Sequence, residues 1–400
     1  MTLLKLGDIT DSCLGKMLDT SKNKGEYKPY LANINVRWGD FDTENLSVMR
    51  FEEDEDERYG IEEGDLIVCE GGEPGRCAIW DGSIQNMKIQ KALHRVRAHS
   101  GYDIRYIYYW MLLTGKKGLL KGYFTGSTIK HLPGDKLKEI VLNVPEYSKQ
   151  ISIANTLSNI DKLIKNNNHI NDYLEEMAKT IFDYWFVQFD FPNENGKPYK
   201  SAGGQMSFCN ELNREIPLNW DYISIGNITT CLDSARIPLS NQQREKMKGS
   251  IPYYGATGVM GYVNRSIFSG DFVLLAEDGS VMDSNGKPIL QRVSGDVWIN
   301  NHTHVLQPAN GYSCRLLYLL LKDIPVSLIK TGSIQMKINQ TNLNNYNVLN
   351  IPDVIRKHFI NYIEPLDIKI VQIQKENTQL KQLRDWLLPM LMNAQATIED

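Results

Sequence analysis

The architecture of this 400-residue chain is decided by residues 153–181, which read IANTLSNIDKLIKNNNHINDYLEEMAKTI. Apolar residues and two asparagines recur there at alternating steps of four and three. They are Ile153, Leu157, Ile160, Ile164, Asn167, Asn171, Leu174, Ala178 and Ile181. This is the heptad pattern of a coiled coil, and it is narrower than the apolar stripe of an ordinary core helix. It predicts a long helix that packs along one seam.

The same pattern returns 206 residues later, along residues 359–387. Its positions are Phe359, Ile363, Leu366, Ile370, Ile373, Asn377, Leu380, Arg384 and Leu387. Asn171 and Asn377 are equivalent in the two series. A polar residue in such a seam costs stability and is best attested as a device that fixes register. We interpret the two asparagines in that way.

The repeat extends beyond the helices. Residues 64–68 (GDLIV) recur as residues 270–274 (GDFVL), and the Thr-Gly-Ser of residues 125–127 recurs at 331–333, both 206 residues apart. Residues 6–10 echo residues 225–229 at an offset of 219. A period this long far exceeds the roughly 20 to 50 residues of solenoid repeats. The chain is therefore predicted to be a duplication of a whole domain and its helix.

Each region before a long helix is predicted to be mixed α and β. Short strands are expected at residues 65–70, 78–80, 272–276 and 304–307, and short helices at 104–113 and 314–321. The predicted fold class is α+β, with two similar mixed α/β domains, each followed by a long helix. The predicted boundaries are 1–146 and 219–352 for the domains, 147–189 and 353–400 for the helices, and 190–218 for a connector.

The net charge of -4 conceals a segregation of charge. Residues 40–70 contain thirteen acids against two bases. Residues 88–138 contain eleven bases against two acids. Lysine and arginine supply affinity for the DNA backbone, but a charge run is more often a solvated face. The segregation alone leaves both interpretations open.

Several classes of function lack their motifs. No G-x-x-x-x-G-K-[ST] phosphate loop and no nucleophile with a base at a diagnostic spacing is present. The six cysteines include no C-x-x-C pair, and His302 and His304 alternate across a strand, so no metal site is expected. No apolar run approaches the roughly 20 residues of a membrane span, and no signal-peptide core is evident. We expect a cytoplasmic binding or scaffolding protein without catalytic residues.

Particular segments resemble the specificity (S) subunits of type I restriction-modification systems. In the second half they are residues 251–258 (IPYYGATG), 272–279 (FVLLAEDG), 298–306 (WINNHTHVL) and 215–229 (EIPLNWDYISIGNIT). Their counterparts in the first half are residues 27–36 (YKPYLANINV), 65–70 and 89–97 (IQKALHRVR). The resemblance runs through nearly the whole chain and includes the duplicated layout.

The resemblance implies that each domain is a target recognition domain that reads one half of a bipartite site in double-stranded DNA. The two helices would form an antiparallel coiled-coil spacer. Residues 153–181 would span about 43 Å, or about 13 base pairs. The implied partners are two modification (methyltransferase) subunits, which bind S-adenosylmethionine, and restriction (endonuclease/translocase) subunits, which use ATP and Mg²⁺. No cofactor is expected on this chain.

Candidate DNA-binding residues are loop side chains that can contact base edges or phosphates. In the first domain they are Asn33, Asn35, Arg37, Arg76, Lys91, Arg95, Ser127, Thr128 and Lys130. In the second they are Tyr254, Thr257, Asn264, Arg265, His302, Ser333, Gln335 and Lys337. The two Thr-Gly-Ser segments are the preferred phosphate contacts, because glycine allows close approach of the backbone.

Two alternatives remain at this point. An enzyme that fuses methyltransferase and recognition domain would need an N-P-P-[FYW] motif, which we do not find. A non-catalytic coiled-coil protein-interaction scaffold without DNA specificity stays open. The helix flanks near Phe182, Tyr184, Trp185, Trp386 and Leu391 are candidates either for subunit docking or for packing in a domain core.

Overall fold

The computed structural model describes residues 1–19, 23–332 and 336–396. The chain divides into two compact units. Unit 1 comprises Met1–Asn168 and Lys375–Asp400, and unit 2 comprises His169–Gln374. Each unit therefore contains one domain together with part of each of the two long helices.

Unit 1 is a mixed α/β domain followed by a long helix. Its strands are β1 (Thr2–Lys5), β2 (Thr10–Leu14), β3 (Glu26–Leu31), β4 (Val36–Arg37), β5 (Asp40–Phe41), β6 (Ser47–Phe51), β7 (Leu66–Cys69), β8 (Cys77–Ile79), β9 (Lys88–Ile89), β10 (Leu93–Ala98) and β11 (Val141–Val144). Its helices are α1 (Leu6–Ile9), α2 (Asp56–Tyr59), α3 (Ile104–Lys116), α4 (Gly134–Glu139) and α5 (Tyr147–Phe182), the last of which continues into unit 2.

The centre of unit 1 is an antiparallel sheet in the order β2-β10-β7-β8. Side chains alternate across a strand, so Leu66 and Val68 of β7 pack on the side of α3, while Ile67 and Cys69 pack in a second core. This explains the unbroken apolar run of β7. A second sheet, β6-β3-β9, contains the parallel pair β3 and β9.

Unit 2 repeats this plan. Its strands are β12 (Met206–Cys209), β13 (Arg214–Pro217), β14 (Asp221–Ser224), β15 (Thr229–Cys231), β16 (Lys248–Gly255), β17 (Gly258–Val263), β18 (Phe268–Ala276), β19 (Leu290–Ile299), β20 (Thr303–Pro308), β21 (Lys330–Thr331), β22 (Lys337–Ile338) and β23 (Asn347–Asn350). Its helices are α6 (Ile225–Ile228), α7 (Asn241–Lys246), α8 (Cys314–Lys322), α9 (Gln340–Asn345) and the first part of α10 (Asp353–Met392).

The six-stranded sheet of unit 2 has the order β15-β20-β18-β19-β16-β17. Its first four strands correspond to β2-β10-β7-β8 of unit 1, and α8 packs on them as α3 does. The duplication and the α+β class are thus confirmed. Residues 190–218, predicted as a connector, contain the hairpin β12–β13, whose Cys209 and Ile216 lie in the unit 2 core.

The helices α5 and α10 pack antiparallel. In unit 1, Leu157 shares a core with Leu388, and Asp161 Oδ1 accepts a hydrogen bond from Arg384 Nη1 at 2.8 Å. Within unit 2, the rings of Phe182 and Phe359 lie 6.1 Å apart. Residues later in α5 therefore contact residues earlier in α10, as in any antiparallel pair of helices. Each of the eighteen predicted seam positions is buried or half-buried, which confirms the heptad pattern.

The asparagine pairing differs from the interpretation of Asn171 and Asn377 as equivalent devices. Asn377 exchanges hydrogen bonds with Asn167 and Asn168, at 3.0 and 2.9 Å. Asn171 Oδ1 has no hydrogen-bond partner within the described ranges. The physical reason is that antiparallel packing brings together residues whose numbers change in opposite directions. Two residues that are equivalent in the repeat, 206 positions apart, therefore do not have to contact each other.

Arg315 ties three helices together inside unit 2. It lies on α8, is 1% exposed, and donates hydrogen bonds to Glu175 of α5 and Asp367 of α10. Arg292 of β19 also donates to Asp367, at 2.7 Å. Burial alone would lower the pKa of Arg315, but the two carboxylates raise it above its ordinary value. The guanidinium therefore stays charged while it links the domain to both long helices.

Unit 1 makes the equivalent junction with different groups. Tyr109 of α3 donates its hydroxyl hydrogen to Asp161 of α5, with 2.7 Å between the oxygens, and Arg384 of α10 binds the other oxygen of that carboxylate. The aromatic cluster of α3 is core, since Tyr106, Tyr108 and Tyr109 are buried.

The helix flanks separate into two groups. Phe182, Trp185 and Leu391 are buried within their own units, whereas Tyr184 and Trp386 are exposed.

Within the described ranges, no helix combines the length and the apolar character needed to cross a membrane.

Part of the charge segregation cancels within unit 1. Lys88, whose side chain is 4% exposed, pairs with Asp56 at 2.9 Å, and Lys28 binds the same carboxylate at 2.7 Å. Arg97 pairs with Asp65 at 2.6 Å. Lys88 and Arg97 of the basic segment are thus paired with acids of the acidic segment. The exposed basic surface is therefore smaller than the run of eleven bases in the sequence would suggest.

Replacing Arg315 with alanine should destabilise the chain by about 1.5–3 kcal/mol, because its charged hydrogen bonds to Glu175 and Asp367 are lost while Asp367 keeps Arg292. Urea unfolding followed by circular dichroism measures this change. The matched control is Lys369→Ala, an exposed cation on α10. An Arg315→Ala protein as stable as the control would contradict the structural role of this junction.

Asp56 should make stability depend on pH. A hydrogen bond from Lys28 is the main cause that lowers its pKa, with Lys88 acting in the same direction. Its contribution is present above the ordinary carboxyl pKa of about 3.9 and is lost as the pH falls through the lower folded value. Asp56→Asn should therefore be less stable than wild type near neutral pH, and the difference should shrink on acidification below that ordinary value. Urea midpoints measure it, with Asp54→Asn as control; a pH-independent difference would refute the assignment.

Candidate nucleic-acid interface

The Thr-Gly-Ser loop of unit 1 is exposed and closed at its base. Thr125 and His131 exchange backbone hydrogen bonds of 2.9 and 3.0 Å. Gly126 has φ +87°, and a Cβ there would lie 2.2 Å from the carbonyl oxygen of Ile129, so a side chain is excluded. Ser127, Thr128 and Lys130 are exposed, which places two hydroxyls and an ammonium on one short loop.

Lys130 also shapes this loop. Its Nζ donates a hydrogen bond of 2.6 Å to the carbonyl oxygen of Gly126. Among the described residues no carboxylate pairs with it, so the ammonium keeps its charge available beside the two hydroxyls. Such a group suits a phosphate, which accepts hydrogen bonds from hydroxyls and cations.

In unit 2 the corresponding loop lies between β21 and β22, where Thr331 pairs with Lys337. Gly332 has φ +78°, so it adopts the left-handed backbone conformation, as its counterpart Gly126 does. Ser333 and Gln335, two of the predicted contacts, lie outside the described residues. Lys337 pairs with Glu277 at 2.9 Å and therefore serves the base of the loop.

Three predicted contacts of unit 1 have partners inside the domain. Asn35 is 6% exposed and binds the Ala32 amide and the Asp42 carbonyl at 2.9 and 3.0 Å. Arg76 donates to the Asn33 carbonyl at 2.8 Å and to Glu73 at 2.9 Å. Arg95 donates to the carbonyls of Glu57 and Gly60 at 2.9 and 2.6 Å. These hydrogen bonds hold loops of the domain, and a DNA contact by any of the three side chains stays a prediction from the sequence.

Three other predicted residues of this domain are more accessible. Lys91 and Arg37 are exposed, although Arg37 pairs with Asp42 at 3.2 Å. Asn33 is half-buried, with its amide nitrogen 3.3 Å from the Gly71 carbonyl oxygen.

In unit 2 the predicted contacts lie on different loops. Thr257 is exposed at the turn between β16 and β17, and Asn264 and Arg265 are exposed just after β17. Tyr254 is half-buried beside a core cluster, and burial raises its pKa. His302 is exposed and its Nδ1 lies 2.7 Å from Asp278. The structure brings Thr257, Asn264 and Arg265 to one hairpin and leaves His302 on another loop.

One polar surface of unit 2 was missed by sequence reasoning. A pocket between α7 and the hairpin β16–β17 is lined by Asn241, Arg244, Glu245, Lys248, Gly249, Met260, Gly261 and Tyr262. The Arg244 guanidinium lies 5.2 Å from the Tyr253 ring centroid and donates to the Met260 carbonyl at 3.2 Å. Tyr262 is 57% exposed. The available signal was the basic run of residues 244–248, which is too short to stand out by composition.

Cys231, Asp233 and His304 are the one group of metal-ligand type within the described ranges, with ligand atoms within 4.8 Å of one another. His304 Nδ1 lies 2.5 Å from Asp233 Oδ2, and Nε2 lies 2.8 Å from the Ile338 carbonyl oxygen. Each ring nitrogen of His304 lies within hydrogen-bonding distance of an acceptor. The cluster is thus tied into unit 2 by hydrogen bonds on both sides of the imidazole.

Burial by itself would raise the pKa of Asp233, but hydrogen bonds from His304 hold it below its ordinary value. Burial raises the pKa of the neighbouring Cys231 to about 12, so its thiol is protonated. His302 and His304 lie on opposite faces of the chain, one exposed and one buried, as their spacing predicts. The geometry supports binding by polar loops.

Comparisons with known proteins agree with this layout. The family model described as "Type I restriction modification DNA specificity domain" matches residues 1–176 and 217–382. The chain is 29% identical over 320 residues to the type I restriction enzyme MjaIX specificity subunit of Methanocaldococcus jannaschii, covering 75% of this chain and 71% of that protein. It is 30% identical over 137 residues to the putative type I restriction enzyme specificity subunit S.HindORF215P of Haemophilus influenzae, 34% of each.

A solved structure shows the same fold. The S subunit of a type I restriction-modification system from M. genitalium aligns with a TM-score of 0.53 and 18% identity, covering 98% of this chain and 95% of that one. Its likeness accompanies two family matches that together span most of the residues, one in each half. The chain therefore belongs to the family of type I restriction modification DNA specificity domains, which it carries in two copies.

Proposed function

We propose that this chain is the sequence-specific DNA recognition subunit of a type I restriction-modification complex. The observation that carries the proposal is the presence of two matched specificity domains on one antiparallel helix pair. Each domain would read one half of a bipartite site in double-stranded DNA, and the helix pair would set the spacing. A scaffold without DNA specificity would have no use for two such domains.

The loops proposed to meet DNA are those with exposed polar groups. In unit 1 they carry Ser127, Thr128, Lys130, Lys91, Asn33 and Arg37. In unit 2 they carry Thr257, Asn264 and Arg265, to which we add Arg244 and Lys248 of the pocket beside α7. Hydroxyls and cations at loop tips suit phosphates, and amides and arginines suit base edges. The remaining candidates stay predictions from the sequence: Asn35, Arg76, Arg95, Tyr254, His302, Ser333, Gln335 and Lys337.

The chain alone is expected to bind DNA weakly. Its net charge is -4, and cations such as Lys88 and Arg97 are already paired within unit 1. Phosphate affinity scales with the number of cations that release counter-ions from DNA. We infer that partner subunits supply much of the grip on phosphate, while this chain supplies the choice of sequence.

The chemistry is assigned to partners. Two modification subunits would bind S-adenosylmethionine and methylate adenine, and restriction subunits would use ATP and Mg²⁺ for translocation and cleavage. The complex would act on DNA in the cytoplasm.

The central test is sequence-selective adenine methylation by the purified chain mixed with its cognate modification subunits. Methylation should require both components, because one selects the site and the other holds the methyl donor. Each component alone is the control. Methylation by this chain alone, or unselective methylation by the mixture, would contradict the proposal.

The helix pair should act as a ruler. One heptad inserted into each helix, after Asn168 and after Gln374, keeps both seams in phase and adds about 10 Å, or about three base pairs. Selection from DNA with randomised spacers should then recover a spacer about three base pairs longer. One heptad inserted into α5 alone is the control, and it should disrupt pairing. An unchanged spacer in the doubly extended protein would refute the ruler.

A further inference from the structure

Each domain buries a histidine at the equivalent place in its central sheet. His94 lies on β10 and His304 lies on β20, and each is 1% exposed. Apart from Thr303, the other buried side chains of both strands are apolar, and valine or leucine would fit a sheet core at these positions. Burying an imidazole costs desolvation free energy unless its hydrogen bonds are satisfied. Two domains that differ at most positions nevertheless both retain it.

The two histidines make the same contact. His94 Nε2 lies 2.9 Å from the carbonyl oxygen of Leu132, and His304 Nε2 lies 2.8 Å from that of Ile338. Leu132 and Ile338 each stand seven positions after the threonine of a Thr-Gly-Ser segment, where the loop re-enters the domain. Each histidine therefore binds the carbonyl at the foot of its loop.

A glutamate on the neighbouring strand completes the anchor. The amide nitrogen of Leu132 donates to the Glu70 carbonyl at 2.7 Å, and that of Ile338 donates to the Glu277 carbonyl at 2.9 Å. The carboxylate of Glu70 lies 3.4 Å from His131 Nδ1, and that of Glu277 pairs with Lys337 at 2.9 Å. Both backbone groups at the foot of each loop are thus fixed from within the sheet.

We propose that His94 and His304 are positioning residues for DNA recognition, each of which fixes the backbone at the foot of its Thr-Gly-Ser segment, at Leu132 in unit 1 and at Ile338 in unit 2. This inference rests on the proposed function. The whole device, with its histidine, its glutamate and the pair at the loop base, is present twice. A loop that served only as a turn would not need its foot held by a buried polar side chain in both domains.

The two anchors differ in their number of acceptors. His304 faces two of them, Asp233 at Nδ1 and the Ile338 carbonyl at Nε2. The charged groups around it are completed by Arg236 and Glu277, which pair with each other at 2.6 Å. His94 is held, within the described residues, by its one hydrogen bond to Leu132, and burial lowers its pKa, which keeps it neutral.

This difference gives each histidine its own rescue behaviour. Glutamine places an amide N–H where Nε2 stands, so His94→Gln can still donate to Leu132. In His304→Gln, all donor hydrogens lie on one amide nitrogen, which replaces only one of the two ring nitrogens. The amide oxygen cannot donate, so Asp233 and the Ile338 carbonyl cannot both be satisfied. We therefore expect glutamine to replace His94 and to fail at His304.

The test uses the full chain assembled with its cognate modification subunits and selects bound DNA from a library with both half-sites randomised. His94→Ala should lower the preference for one half-site by about tenfold and leave the other unchanged, and His304→Ala should do the reverse. His94→Gln should recover its half-site, whereas His304→Gln should not. His99→Gln, a more exposed histidine just after β10, is the matched control.

Hydrogen exchange of the same proteins separates positioning from simple loss of fold. In His94→Ala, amides of residues 125–132 should exchange faster while those of α3 stay as protected as in wild type. Exchange that rises throughout the domain, or half-site preference that survives both alanine variants, would overturn the inference. A wild-type complex that selects no bipartite site would instead defeat the proposed function itself.

Discussion

The antiparallel packing of α5 and α10 is the constraint on which the rest of the structure depends. Neither helix belongs to one unit alone: Leu157 and Leu388 complete the core of unit 1, and Phe182 and Phe359 complete that of unit 2. Each core therefore contains side chains from sequence-distant segments. Burial of this apolar surface stabilises the domain and the helix pair together.

Polar junctions make this packing specific. In unit 2 one buried arginine, Arg315, binds carboxylates on both helices. In unit 1 one carboxylate, Asp161, receives a tyrosine and an arginine. The sign of the central group is reversed, yet equivalent helices are joined: α3 in unit 1 and α8 in unit 2, each with α5 and α10. A duplicated scaffold can thus keep its geometry while its residues diverge, and we propose that the exposed loops diverge in the same way to read different half-sites.

In a fixed scaffold with variable loops, a buried polar side chain can mark the point where a loop is attached to the scaffold. His94 and His304 lie where the sheet needs only apolar volume, and each contacts a backbone carbonyl at the foot of an exposed loop. Their hydrogen bonds connect the rigid part of each domain to the part proposed to touch DNA. Arg95, Asn35 and Arg76, by contrast, hold loops in a single domain and lack this repeated arrangement.

The sequence by itself determined the two heptad helices, the duplication, and the helices at Ile104–Lys116 and Cys314–Lys322, because periodicity and repeats are local properties of a chain. Exposed loop residues such as Ser127, Thr257 and Arg265 were also predictable, since turn residues mark loops. Only the tertiary structure decided that Asn377 contacts Asn167 and Asn168, that Lys88 pairs with Asp56, and that Arg315 links α8 to both α5 and α10. Those partners lie far apart in the chain, and pairing energy depends on distance in space, which no local pattern encodes.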